Sequence, residues 1–166
     1  MKKVIKVKLD PNSIANAITE LQMYKEDLQR RVNLLVQRLA DRGAGIARAK
    51  VVEMGAYYTG GLLESINSYL FAFGGAPVGF IRVNAEYGMF VEFGTGIVGK
   101  NATPHPALEA FGWEYDVNNH GEVGWLFPAD DGTYRRTRGQ ASRPFMYETA
   151  LQLRDEFPAI VKEVFG

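Results

Sequence analysis

One apolar periodicity constrains this chain more than any other feature. Ile14, Ala17, Ile18, Leu21, Tyr24, Leu28, Val32, Leu35 and Leu39 recur at steps of three and four. Glu20, Lys25, Asp27, Arg30, Gln37 and Arg38 mostly fill the opposite face. That is the period of an α-helix with one apolar stripe, and it predicts a helix over about 13–41. A stripe of this kind ordinarily packs on the protein's own sheet, with a partner helix as the alternative. Asp10-Pro11-Asn12-Ser13 precedes it, with Asn12 or Ser13 expected as the cap. Asp41-Arg42-Gly43 and Gly43-Ala44-Gly45 are expected to end or kink the helix. Residues 46–56 remain helix-compatible, with Ile46, Ala49, Val52 and Ala56 at helical steps.

Strand periods flank this helix. Ile5, Val7 and Leu9 alternate with Lys6 and Lys8, as in a half-buried strand. The same lysines interrupt the apolar run that a signal peptide requires. No stretch approaches the ~20 apolar residues of a membrane span, so a soluble cytoplasmic product with no membrane contact is expected. Thr59-Gly60-Gly61 is a turn signal, and Leu62 to Ile66 reads as a short helix or a strand entry. Ser68–Phe73 and Val78–Val83 flank Gly74-Gly75-Ala76-Pro77, a hairpin pattern. A short helix is expected over Tyr87 to Glu92. Residues 97–142 read as an irregular loop carrying Trp113, Tyr115, Trp125, Phe127 and Tyr134, with strands near 113–117 and 123–127. Ser142 is a candidate cap for a final helix that opens at Pro144 and Phe145. Pro158 is expected to kink that helix or begin a separate turn.

Catalytic material is scarce. The 166 residues hold 2 His and 0 Cys, which removes thiolate nucleophiles and Cys-ligated zinc. His105 lies between Pro104 and Pro106, and His120 lies in a turn composition, so both read as ordinary loop histidines. Neither has a second ligand at the i, i+4 spacing of helical metal sites. Ser65, His105 and Asp116 can be assembled into a nominal triad, but Ser65 stands in no nucleophile elbow. Gly94-Thr95-Gly96-Ile97-Val98-Gly99-Lys100 has P-loop spacing, yet Asn101 replaces the magnesium-binding hydroxyl residue. A helical pattern also precedes it, where a strand is required. No cofactor, metal or catalytic residue is expected.

Nineteen Lys+Arg balance nineteen Asp+Glu, so the chain lacks the cationic excess of a general nucleic-acid binder. The balance is uneven along the chain. Glu109, Glu114, Asp116, Glu122, Asp130 and Asp131 precede Arg135, Arg136, Arg138 and Arg143. Opposite patches of this kind can pair neighbouring copies, or the basic half can face DNA phosphates. Local ion pairs on a solvated loop are the plainer reading, and each contributes little.

Three stretches then carry a family likeness: Thr59-Gly60-Gly61-Leu62-Leu63-Glu64-Ser65-Ile66, Glu86-Tyr87-Gly88-Met89-Phe90-Val91-Glu92-Phe93-Gly94-Thr95, and Arg143-Pro144-Phe145-Met146. Their order resembles the tail-component and tail-completion proteins of long-tailed bacteriophages, a group related to the lambda minor tail protein Z. The chain differs in carrying Gly61 after Gly60 and a longer aromatic loop. Read physically, Gly60 and Gly94 suit turns with positive φ. Tyr87, Val91 and Phe93 can pack a short helix on the sheet, and Thr95 can bond its own turn. Glu92 among them needs a partner if buried, with Arg143 or Arg82 as candidates.

The expected fold is α+β in a single domain over 1–166. It has a long N-terminal helix, an antiparallel sheet of about four strands, a C-terminal helix and an elaborated loop at 97–142. The resemblance implies a structural, non-enzymatic virion protein at the head–tail junction. Copies would form a ring that completes the tail or joins it to the head after assembly in the host cytoplasm. Implied partners are other copies, tail-tube or neck proteins, and DNA in the lumen. Trp113, Trp125, Phe127, Arg135, Arg136 and Arg138 are the candidate contact residues. The alternatives are a nucleotide-binding or hydrolytic enzyme using residues 94–100, and a prophage-encoded module directed at the host.

Overall fold

The computed structural model describes residues 4–56, 60–115, 123–129 and 131–166. Its axis is helix α1, Pro11–Glu53, which is 43 residues long and spans roughly 65 Å at 1.5 Å per residue. The helix begins one step earlier than Asn12. Asp10 is the cap and accepts from Ser13 N at 2.9 Å, with Pro11 in the first turn, where its missing N–H is harmless. The segment before it forms no strand, and Val4, Val7 and Leu9 lie exposed. Alternation alone cannot hold a strand that has no neighbour to pair with.

The helix does not break at Gly43. A Cβ on Gly43 would overlap the Ile81 side chain and lie 3.2 Å from Leu153 Cδ2. Gly43 therefore serves close approach of two other elements rather than termination. Ala40, Gly43, Ala44 and Ala47 are all buried, so the middle of α1 presents a small-residue surface. The first element on it is a hairpin, β1 (Ile66–Phe73) and β2 (Ala76–Val83), entered through a short helix α2, Gly61–Ser65. Gly74 and Gly75 form the two-residue turn with φ of 58° and 82°, the conformation that matches strand twist in hairpins. A Cβ on Gly79 would stand 3.0 Å from Val36 Cγ1 and 3.2 Å from Ala40 Cβ, so β2 lies directly on α1.

The second element is helix α6, Phe145–Phe165, which packs along α1. Pro158 neither ends it nor starts a new turn. Ile160 and Val164 beyond the proline are buried, and Arg31 Nη1 donates to Val164 O at 3.0 Å. Packing and that bond hold the last turns despite the lost backbone bond. Arg42 grips Glu156 through two bonds of 2.6 and 2.8 Å, which ties the helices at their middle. The guanidinium, helped by Gln152, pulls the Glu156 carboxyl down to about 2.

The described residues between 97 and 142 are more ordered than their composition suggests. Short helices α3 (Gly88–Phe93), α4 (Gly96–Asn101) and α5 (Leu108–Phe111) lead to a second hairpin, β3 (Trp125–Pro128) and β4 (Tyr134–Thr137). The strand expected near 113–117 does not form over 113–115, and 116–117 lie outside the described residues. The four described strands make two separate antiparallel pairs, not one sheet. The core joins Ala44, Ala47, Val51, Leu62, Ile66, Val91 and Phe145. Among the described residues no helix is long and apolar enough to cross a membrane.

The internal-packing expectation for the apolar stripe holds only for the second half of α1. Ile14, Ile18, Leu21, Tyr24 and Leu28 are exposed, because the hairpin and α6 reach only the later turns.

The two helix glycines should respond oppositely to substitution. A Cβ on Gly45 would meet nothing within 4 Å, so Gly45→Ala should stabilise by about 1 kcal/mol through helix propensity. Gly43→Leu should destabilise by about 2 kcal/mol through overpacking. Urea midpoints measure both. Acid should act through Glu156. Its folded pKa is depressed, so its contribution is present above pH ~4.5 and is lost as pH falls toward about 2. Glu156→Gln should flatten the acid limb of a stability–pH curve across that window.

Candidate functional site

The three motif stretches meet at the N-terminus of α6. The first turn of any α-helix leaves backbone N–H groups without intrahelical partners. Pro144 occupies the cap position and offers no side-chain bond. Glu92, from α3, supplies one across the fold. Its Oε2 accepts from Met146 N and its Oε1 from Tyr147 N, each at 2.9 Å. A carboxylate there also meets the positive end of the helix dipole.

Glu92 is buried, and its side-chain hydrogen-bond partner is neither Arg143 nor Arg82 but His105. His105 Nε2 lies 3.0 Å from Glu92 Oε1. His105 Nδ1 accepts from Ala107 N at 3.0 Å, which assigns the ring proton to Nε2. His105 is thus a buried structural histidine rather than an ordinary loop one. The sequence clue was its place between two prolines, which confine the backbone but name no partner. Ser142, the expected cap, instead donates to Glu92 O at 2.6 Å.

Arg143 ties two other ends together. Its Nε donates to Met54 O at 3.1 Å, at the end of α1, and its Nη1 to Gln140 Oε1 at 3.0 Å. A cation suits a helix C-terminus. Phe145 is 1% exposed and sits in the core beside Leu62, Ile66 and Val91. Phe93 carries an aromatic layer, with His105 at 4.2 Å and Phe111 and Trp113 each at 5.2 Å between ring centres. Tyr87 does not join it and stays exposed. Thr95 bonds both within its own turn, where its carbonyl accepts from Gly99 N, and across the fold, exchanging backbone bonds of 2.9 and 3.1 Å with Gln140. Gly94 has φ 81°, and a Cβ there would stand 2.7 Å from Ser142 N, so only glycine fits. Gly60 is left-handed at the entry to α2, and Thr59 lies outside the described residues.

The other sequence candidates fall apart or turn inward. Ser65 Oγ donates to Leu62 O at 2.8 Å, while His105 is engaged with Glu92 and Ala107. Asp116 and His120 lie outside the described residues. The phosphate-loop spacing is occupied by its own fold. Thr95 N, Gly96 N and Val98 N donate to the carbonyls of Gln140, Tyr115 and Arg138, and Gly99 N donates to Thr95 O. Helices α3 and α4 flank and fill the stretch, so these donors do not point at an open cradle. Among the described residues no three His, Asp or Glu side chains gather as a metal-donor set.

Of the candidate contact residues, Trp113 is half-buried and donates to Gly94 O at 3.0 Å, so it supports the aromatic layer. Trp125 is half-buried on β3, and Phe127, Arg135, Arg136 and Arg138 lie exposed on or beside the second hairpin. Arg135 pairs with Asp131 at 3.0 Å, and Arg136 donates to Val123 O at 2.6 and 3.2 Å. No protein-family model, curated protein or solved structure matches the chain.

Glu92→Ala should cost about 3 kcal/mol or more. It leaves two helix N–H groups and the His105 donor buried without partners. Glu92→Gln keeps one acceptor and should cost about half as much. Denaturant titration with matched m-values gives both numbers, and equal costs would mean that the one retained acceptor contributes nothing.

Proposed function

We propose that the protein is a structural component of a long-tailed bacteriophage particle, placed at the head–tail junction. Copies arranged in a ring would complete the tail or join it to the head. Such a ring closes when head-to-tail contacts repeat around one axis. Its partners would be other copies, tail-tube or neck proteins, and DNA in the lumen. It would be made in the host cytoplasm and end in the virion.

One observation carries the reading. The three stretches that resemble tail-completion proteins are consumed together in a structural knot, where Glu92, Arg143 and Phe145 bind helix ends and core. Their residues hold a scaffold, and the chemistry of that scaffold is satisfied internally. What remains for function is surface. The accessible area is 11660 Å², about 40% more than the roughly 8,200 Å² typical of a folded monomer this long. Apolar side chains are part of that surface: on the outer face of the first hairpin Tyr69 stacks on Phe80 and Phe71 meets Phe80 edge-on, all three exposed. Large exposed apolar areas mark interaction surfaces. The basic arm of β3–β4 supplies Arg135, Arg136 and Arg138 for an acidic neighbour or DNA phosphates.

The test is deletion of the encoding gene in a phage that carries it. The expected lysate contains DNA-filled heads and separate tails by electron microscopy, with infectivity lost and restored from a plasmid copy. Joined, infectious particles in the deletion lysate would end the proposal.

A further inference from the structure

The exposed first half of α1 has a stricter pattern than amphipathicity requires. Ile14, Leu21, Leu28 and Leu35 stand seven residues apart. Ile18, Lys25, Val32 and Leu39 repeat the spacing four residues later. A seven-residue repeat of this form is the seam of a coiled coil, with the second series at a and the first at d. From Val32 onward the seam is half-buried, and α6 packs along it and ends where Val164 meets Arg31. Upstream the same seam continues largely uncovered by the described residues, Ile18 being 52% and Leu21 56% exposed.

We infer that a second copy of this chain covers it, its α1 lying antiparallel to the first along residues 11–28. Three observations select that occupant. The seam continues at the same seven-residue spacing from the half-buried Val32, Leu35 and Leu39, beside which α6 packs on α1, past the end of α6. Within residues 11–28 the flanking positions Ala15, Gln22 and Tyr24, with the buried Ala17, carry no charge, so two copies meet without repulsion at the edges. Lys25 decides direction. A parallel pair would stack Lys25 on itself, a like-charge contact that is destabilising. With Ile18 opposite Leu21 of the second copy, Lys25 faces Ile14 of that copy, one turn from its Asp10. In the same register Pro11 of the second copy falls opposite Leu28, short of the space that α6 occupies.

The exposed stretch is ~30 Å long and ~10 Å across, so the contact lies at the small end of specific interfaces. Dimerisation should therefore depend on concentration in the micromolar range. A twofold pair is closed, so it differs from the head-to-tail contacts of a ring and does not rest on the head–tail reading.

The full chain should sediment as a monomer–dimer equilibrium between 1 and 100 µM, values set by about that affinity range. Leu21→Glu should weaken the dimer about 100-fold by placing two charges in the seam. Leu21 is exposed in the monomer, so the helical circular dichroism of the α1–α6 body should persist. The chain has no cysteine of its own, which permits a test of direction. Mixed Ile18→Cys and Leu21→Cys variants should form a mixed disulfide faster than either forms one alone. A wild-type monomer at 100 µM, an unchanged association constant for Leu21→Glu, or preferred Ile18→Cys self-crosslinking would each overturn the inference.

Discussion

The structure depends on one carboxylate placed at a helix end. Glu92 sits where α6 exposes its first unpaired N–H groups, and it binds two of them while holding His105. Without it, the two N–H groups and the buried His105 ring would lose their acceptor, and buried donors left so cost about 1–3 kcal/mol each. The pairing also sets geometry. Because α3 carries Glu92 and α6 must start beside it, the direction of α6 along α1 is determined by a side chain more than fifty residues upstream.

The other helix end is handled by the complementary charge. Arg143 reaches the carbonyl of Met54, the cap of α1, from the residue before Pro144, so one short segment binds the end of one helix and opens the next. Phe145 then inserts between α1, α2 and β1. The three motif segments are in this way joints between elements. Their residues are used up by hydrogen bonds and packing, which leaves the outward surfaces for the proposed contacts: the aromatic face of the first hairpin, the arm of the second, and the exposed first half of α1.

Burial separates these two roles along α1. Its middle is built of Ala and Gly and accepts the hairpin and α6 at close range. Its beginning carries Ile and Leu at seven-residue spacing, and these side chains stay exposed. Small side chains let backbones approach within a compact body, whereas larger ones at a regular spacing suit a helix that approaches from outside.

Local elements are legible in the order of residues alone. Helical spacing from Ile14 onward, Gly74-Gly75 between two apolar runs, and Pro144 ahead of Phe145 each act within a few residues, where backbone preference and periodicity decide. Residue order also makes Glu92 recognisable as a carboxylate that needs a partner if buried. The remaining features emerge only from the folded chain, because their partners are distant in sequence. Gly43 reads as a breaker until Ile81 and Leu153 are seen to need its space. Pro158 reads as a kink or the start of a separate turn, and only the fold shows one helix running through it with Ile160 and Val164 buried beyond. Arg143 and Arg82 were reasonable partners for Glu92 by charge, but only the fold brings His105 and the bare end of α6 to it. Local pattern carries no information about which distant groups share a buried space, and in this protein those shared spaces hold the helices in place.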